Sequence, residues 1–152
     1  MTLDIHNRED IYNRLKNLEQ NAKPVFGSMS PQHIVEHLAF MLQVSTGKNP
    51  QRFYSTDDVA TTLKQQLIYS DAALPHNIKS PVLGDLPPPL IFKDLQTAIE
   101  NLKNEMNDFD GYYKANPDAK NMQPRMGLLS FQEWTTLHNK HFTHHFSQFN
   151  LV

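Results

Sequence analysis

The sequence predicts an all-α, single-domain four-helix bundle with long proline-rich connecting loops, and three observations carry that expectation. Apolar residues recur at helical spacing in four long stretches. Helix-start signals of the Ser-Pro and Ser-x-x-Glu kind precede two of those stretches, and period-2 strand patterns are nearly absent. A chain of 152 residues suffices for one core, and neither a repeat nor a low-complexity linker divides it.

Ile11, Leu15, Leu18 and Ala22 give a first helix over 7–22, stopped by Pro24. Ser30 as N-cap and Pro31 in the first helical position open the second. It runs through HIVEHLAFMLQV to Gly47, which suits a left-handed C-terminal cap. Apolar residues nearly encircle this helix and leave mainly Gln32, Glu36, Ala39 and Gln43 for solvent. Asp57–Tyr69 reads as a shorter helix, capped by Ser55 or Thr56, with a thin stripe of Val59, Leu63 and Leu67. LPHNIKSPVLGDLPPPL then holds five of the ten prolines and is expected to be an ordered functional loop, neither helix nor central strand. Phe92–Tyr113 is the third long helix, striped by Leu95, Ile99, Leu102, Met106 and Phe109. Asn116–Leu129 reads as a second loop, with Pro117, Pro124 and Gly127. Ser130 and Glu133 form a capping box at the start of the last helix, Phe131–Phe149.

Composition removes several function classes. Fourteen basic and sixteen acidic residues leave a formal net charge of −2, and no Arg/Lys stripe interleaves with aromatics, so no nucleic-acid partner is expected. No apolar run approaches bilayer length and MTLDIHNRED has no signal-peptide core, so neither membrane nor export is expected and the cytoplasm is the default. Zero cysteines exclude disulfides, thiolate ligands and a cysteine nucleophile. There is no glycine-rich phosphate loop and no G-x-S-x-G elbow.

What remains is histidine. In FQEWTTLHNKHFTHHFSQF, His138, His141 and His145 lie near the middle of an arc formed by Phe131, Trp134, Thr135, Leu137, Phe142, Phe146 and Phe149. Imidazoles on an apolar face are costly unless each finds a hydrogen-bond partner or a metal. Two i,i+4 pairs, His141/His145 and His33/His37, suit a divalent ion, and His138/His141 adds an i,i+3 alternative. In the second helix His37 is the better donor, being nearer the Ile34/Leu38/Met41 face than His33. His144 falls on the polar side, and His6 and His76 have no local partner. The plainer account is that such histidines are satisfied core residues. His33-Ile-Val-Glu36-His37 also fits the H-x-x-E-H zinc-peptidase pattern, but Glu36 lies on the most polar arc, away from where a general base is needed.

FGSMSPQHIVEHL, with the closing GLLSFQEWTTLHNKHFTHHFSQF, resembles the DinB/YfiT-like metalloenzyme superfamily, and within it a branch of unknown function. The resemblance covers essentially the whole chain and is most specific in its closing stretch. It implies a DinB-like four-helix bundle, often dimeric, with a triad of one histidine from the second helix and two at i,i+4 from the last. On this sequence those are His37, His141 and His145. The chain departs from the branch at MQPRMG, where Gln123 precedes Pro124 and Met126 precedes Gly127 in place of a His-Pro and an aromatic-Gly.

Relatives that the resemblance brings in include thiol transferases and a thiol-dependent isomerase, which use the metal to activate a low-molecular-weight thiol. The implied function is a divalent-metal-dependent S-transferase or hydrolase acting on a small molecule, with zinc or nickel first among the ions. His37, His141 and His145 would ligate it, and His138 would serve catalysis as an orienter or proton carrier. Residues of the 71–92 loop would shape the pocket mouth. His33 or His138 would be the fourth ligand of a closed, structural site. The contrasting expectation is a non-catalytic bundle, dimerising or binding a small molecule, whose histidines are structural.

Overall fold

Five helices and one short hairpin make up the described residues, 1–76 and 86–152, of the computed structural model. In order they are α1 (Arg8–Lys16), α2 (Pro31–Ser45), α3 (Asp57–Leu67), α4 (Leu95–Ala115), β1 (Asn121–Gln123), β2 (Gly127–Leu129) and α5 (Phe131–Ser147). The expected all-α bundle is what the chain forms, with a short β element added. The middle of the long proline-rich loop, 77–85, lies outside the described residues.

The helix starts are those that the capping residues specify. Ser30 Oγ accepts from the His33 amide, Asp94 Oδ1 from the Thr97 amide, and Ser130 Oγ from the Glu133 amide, while Glu133 Oε1 accepts from the Ser130 amide. Thr56 caps α3. α4 therefore opens at Leu95 and not at Phe92, because Asp94 is the better cap. α1 is shorter than the expected 7–22. Asn17 ends it with its amide on the Arg14 and Leu15 carbonyls, and single turns carry the chain on, so Leu18 reaches the core from outside a helix. The α3 stripe is only half right: Leu67 is buried but Val59 is 48 % exposed.

α2 packs along α4 and also meets α5, and the hairpin lies against α2 and α5. Ile34, Leu38 and Leu42 of α2 meet a core that includes Leu102, Met106 and Phe109 of α4 and Trp134, Phe142 and Phe146 of α5, all fully buried. Each such side chain stabilises by about 1.5–3 kcal/mol relative to exposure. α2 is more enclosed than its sequence suggests, since Gln32 and Ala39 are buried too. The Gln32 amide is covered because it donates to the Phe92 carbonyl (2.7 Å).

The hairpin corrects the reading of Asn116–Leu129 as a plain loop. Gln123 pairs with Gly127, which leaves Pro124, Arg125 and Met126 as a three-residue turn. Gln123 Oε1 accepts from the Arg125 and Met126 amides (2.7 and 2.8 Å), and Gly127 takes φ +81°, a left-handed conformation suited to glycine. Gln123 thus holds a turn.

Candidate metal centre

α2 and α5 bring three imidazoles to one point. His37 projects from α2, and His141 and His145, one turn apart, project from α5. His37 Nε2 lies 2.9 Å from His141 Nε2, and His145 Nε2 lies 3.1 Å from the same atom. The three ligand atoms all fall within 4.8 Å of one another, although His37 and His141 are 104 residues apart in sequence. Among the described residues this is the one such group of His, Cys, Asp and Glu donors.

The electrostatics favour neutral rings. Burial, with a smaller contribution from His144, lowers the His37 pKa from 6.5 to about 4. Burial lowers His141 and His145 well below 6.5, and the neighbouring imidazoles add to it. Near neutral pH each ring carries one N–H and one lone pair, the form that ligates a metal. Nitrogens bound at about 2.0–2.1 Å to a tetrahedral ion stand about 3.3 Å apart. The His37–His141 and His141–His145 spacings need open only by roughly a few tenths of an ångström to reach that value, while the His37 and His145 nitrogens lie within 4.8 Å of each other. The His37 Nδ1 is buried without a hydrogen-bond partner. Three convergent imidazoles with an unsatisfied nitrogen behind one of them are a donor set that fits a divalent cation.

The remaining histidines are sorted by the fold. His33 closes the start of α2, its Nδ1 2.7 Å from Ser30 Oγ and 3.3 Å from the Ser30 amide, so it is not a fourth member. His138 shares the helix but makes no hydrogen bond to the three. Its ring stacks on Trp134 (5.4 Å between centroids) and meets Phe109 edge-on (5.2 Å), and both its nitrogens lack partners. Burial, helped by His6, lowers its pKa to about 3. Glu36 faces away from the triad's chemistry. Its carboxylate accepts from the Ile91 and Phe92 amides (2.9 and 3.0 Å) and from Gln32 Nε2 (3.0 Å). The H-x-x-E-H match therefore lacks its general base.

Three contributors were not legible as such. His144, expected on the polar side, packs edge-on against His145 (4.9 Å) and Phe26 (5.5 Å). Its pKa is lowered by burial and then by His76. His76 stacks flat on Phe26 at 3.9 Å, so the described start of the long loop reaches the neighbourhood of the triad. Gln148, just beyond α5, sets Oε1 2.6 Å from His145 Nδ1. Only Gln148 leaves a trace in the sequence: a polar residue three places after His145, where the apolar arc continues.

A family model described as a protein of unknown function (DUF1569) matches residues 1–151. No curated protein and no solved structure matches the chain.

Proposed function

Since the chain belongs to the DUF1569 family, to which no activity is attached, its function has to come from its own residues, and we propose a divalent-metal-dependent enzyme acting on a small molecule. The observation that carries this reading is the meeting of three Nε2 atoms from two helices, at 2.9 and 3.1 Å, in rings kept neutral by burial. Three protein ligands leave a position open, as catalytic sites do, whereas structural sites are usually closed by four. His37 and His141 are partly buried and His145 is buried.

His37, His141 and His145 would hold the ion, with zinc or nickel the first to test. When bound, the ion lowers the pKa of a thiol or water in the open position and so supplies a nucleophile at neutral pH. The stacked Phe26/His76 pair and His144 would form a wall beside that position, orienting the substrate and excluding bulk water. His138, held neutral down to about pH 3, is a poor proton carrier near neutrality. Its proposed part is to pack the wall of α5 next to the site. The closing histidine pattern and the helical bundle support a link to the DinB/YfiT-like superfamily. From that link come the thiol-dependent S-transferase or hydrolase form of the activity and a homodimeric assembly.

A second reading has its own observation. The triad's nitrogens stand at hydrogen-bond length from one another, as they would in a structural histidine cluster of a non-catalytic binding module. Metal content by plasma mass spectrometry separates the two. We expect near-stoichiometric divalent metal in the wild type and its loss in each of His37→Ala, His141→Ala and His145→Ala. A wild type that takes up none after incubation with zinc, nickel and manganese overturns the enzyme reading and favours the structural one.

A further inference from the structure

Gln148 is 4 % exposed and its carboxamide reaches in two directions. Nε2 donates to the Phe26 carbonyl (3.2 Å), and Oε1 stands 2.6 Å from His145 Nδ1. The first contact fixes the orientation of the second. Turned over, the amide would set its oxygen against the Phe26 oxygen, two acceptors with no proton between them. With Oε1 toward His145, the hydrogen of that bond must sit on Nδ1, because an amide oxygen has none to give. A neutral imidazole has one N–H, so His145 Nε2 is then a bare lone pair, and it faces His141 Nε2 at 3.1 Å.

The backbone reinforces this arrangement. The Val25 amide donates to the Gln148 carbonyl (2.8 Å), so the 25–26 segment and Gln148 hold each other at two points. Gly27 follows with φ +76°, and a Cβ there would stand 2.6 Å from Gln148 Nε2. Glycine both accepts the left-handed backbone and leaves room for the amide. His37 is the contrast: its Nδ1 is buried with no partner, and its Nε2 meets another imidazole, His141 Nε2 at 2.9 Å, so no fixed acceptor behind the ring sets its tautomer.

We propose that Gln148, oriented by Phe26 and given space by Gly27, is a positioning residue that locks His145 in its Nδ1–H tautomer and so presents Nε2 as a donor before any ion arrives. This rests on the metal-site reading for its purpose, but not for its test. The ion would meet one preset ligand, His145, while His37 and His141, whose Nε2 atoms face each other at 2.9 Å, would settle their tautomers on binding. Partners behind a ligating histidine commonly change metal affinity about 10- to 100-fold.

The test uses the full chain, metal-free and 15N-labelled. Long-range proton–nitrogen spectra report which His145 nitrogen is protonated, and competition titration gives the Zn2+ Kd of wild type, Gln148→Met and Gln148→Glu. Methionine removes both contacts of the amide. Glutamate keeps an acceptor at His145 but gives up the donor to Phe26. We expect His145 Nδ1–H in the wild type, a Zn2+ Kd raised about 10- to 100-fold in Gln148→Met, and a smaller rise in Gln148→Glu, whose carboxylate still accepts from His145 Nδ1 although its second oxygen meets the Phe26 carbonyl. Equal weakening in both variants would assign Gln148 to tethering the 25–26 segment and overturn the proposal. So would a wild-type His145 protonated at Nε2, and that spectrum decides even if Gln148→Met does not fold. A wild type that binds no zinc removes the metal reading alone, since the tautomer is read without metal.

Discussion

His138 and His145 present nearly the same face of α5, seven residues apart at about 100° each, yet only one joins the triad. Periodicity cannot choose between them. The choice is made by height along α5 relative to His37, a helix–helix register set by packing that spacing within one helix does not contain. This is why the residues left His138/His141 and His141/His145 both open, and why the resemblance was needed to select the second. His138 is instead an imidazole among Trp134 and Phe109 with two unpaired nitrogens. An unsatisfied buried polar group costs about 1–3 kcal/mol. His138→Leu should therefore raise unfolding free energy at pH 7 by about 1 kcal/mol and leave metal content unchanged. Urea denaturation checks the first; a loss of stability would mean that the ring nitrogens are satisfied after all.

At the scale of elements, Glu36 and His37 divide the labour of α2 between adjacent positions. One holds the Ile91–Phe92 backbone by a carboxylate, and the other offers a nitrogen to the triad. Glu36→Ala should speed hydrogen exchange at the Ile91 and Phe92 amides by tenfold or more, a loss of about 1.5–3 kcal/mol in charge-assisted bonding, without removing metal. Metal loss in that variant would show that the loop's seating and the triad are coupled. Most of the helices were legible because cap and stripe agree: Ser30 with Pro31, Ser130 with Glu133. The hairpin was not, because three-residue strands are too short to show alternation and Pro124 reads as loop. Its one local signal was Gly127 at the left-handed position after three turn residues. The end of α1 was missed for another reason: Leu18 keeps the apolar spacing although the backbone has left the helix. A cap is testable as well. Ser130→Ala should cost about 1 kcal/mol of stability, read as a lower thermal midpoint with α5 otherwise intact.

Over the whole molecule, the buried histidines make stability depend on pH in a defined direction. Unfolded, each binds a proton near pH 6.5; folded, His37 refuses it until about pH 4 and His138 until about pH 3. The unfolded chain thus binds more protons in that interval, so metal-free stability is full above about pH 6.5 and falls as pH drops toward those folded values. Denaturant melts at pH 7, 6 and 5 should show the decline before the carboxylates titrate, and His138→Leu should flatten part of it. A bound ion acts the other way: at 100 times its Kd it adds about 2.7 kcal/mol, visible as a rise in thermal midpoint that the His141→Ala variant lacks. No helix among the described residues is long and apolar enough to cross a membrane. The 104-residue gap between His37 and His141 also has a consequence in time. At about 5–20 residues per second of synthesis, α2 exists for roughly 5 to 20 s before its partner histidines on α5 are made. During that interval the nascent chain has no site with which to discriminate among ions. An ion held by the triad would therefore be chosen by the folded protein, after translation, from whatever the surrounding pool then offers.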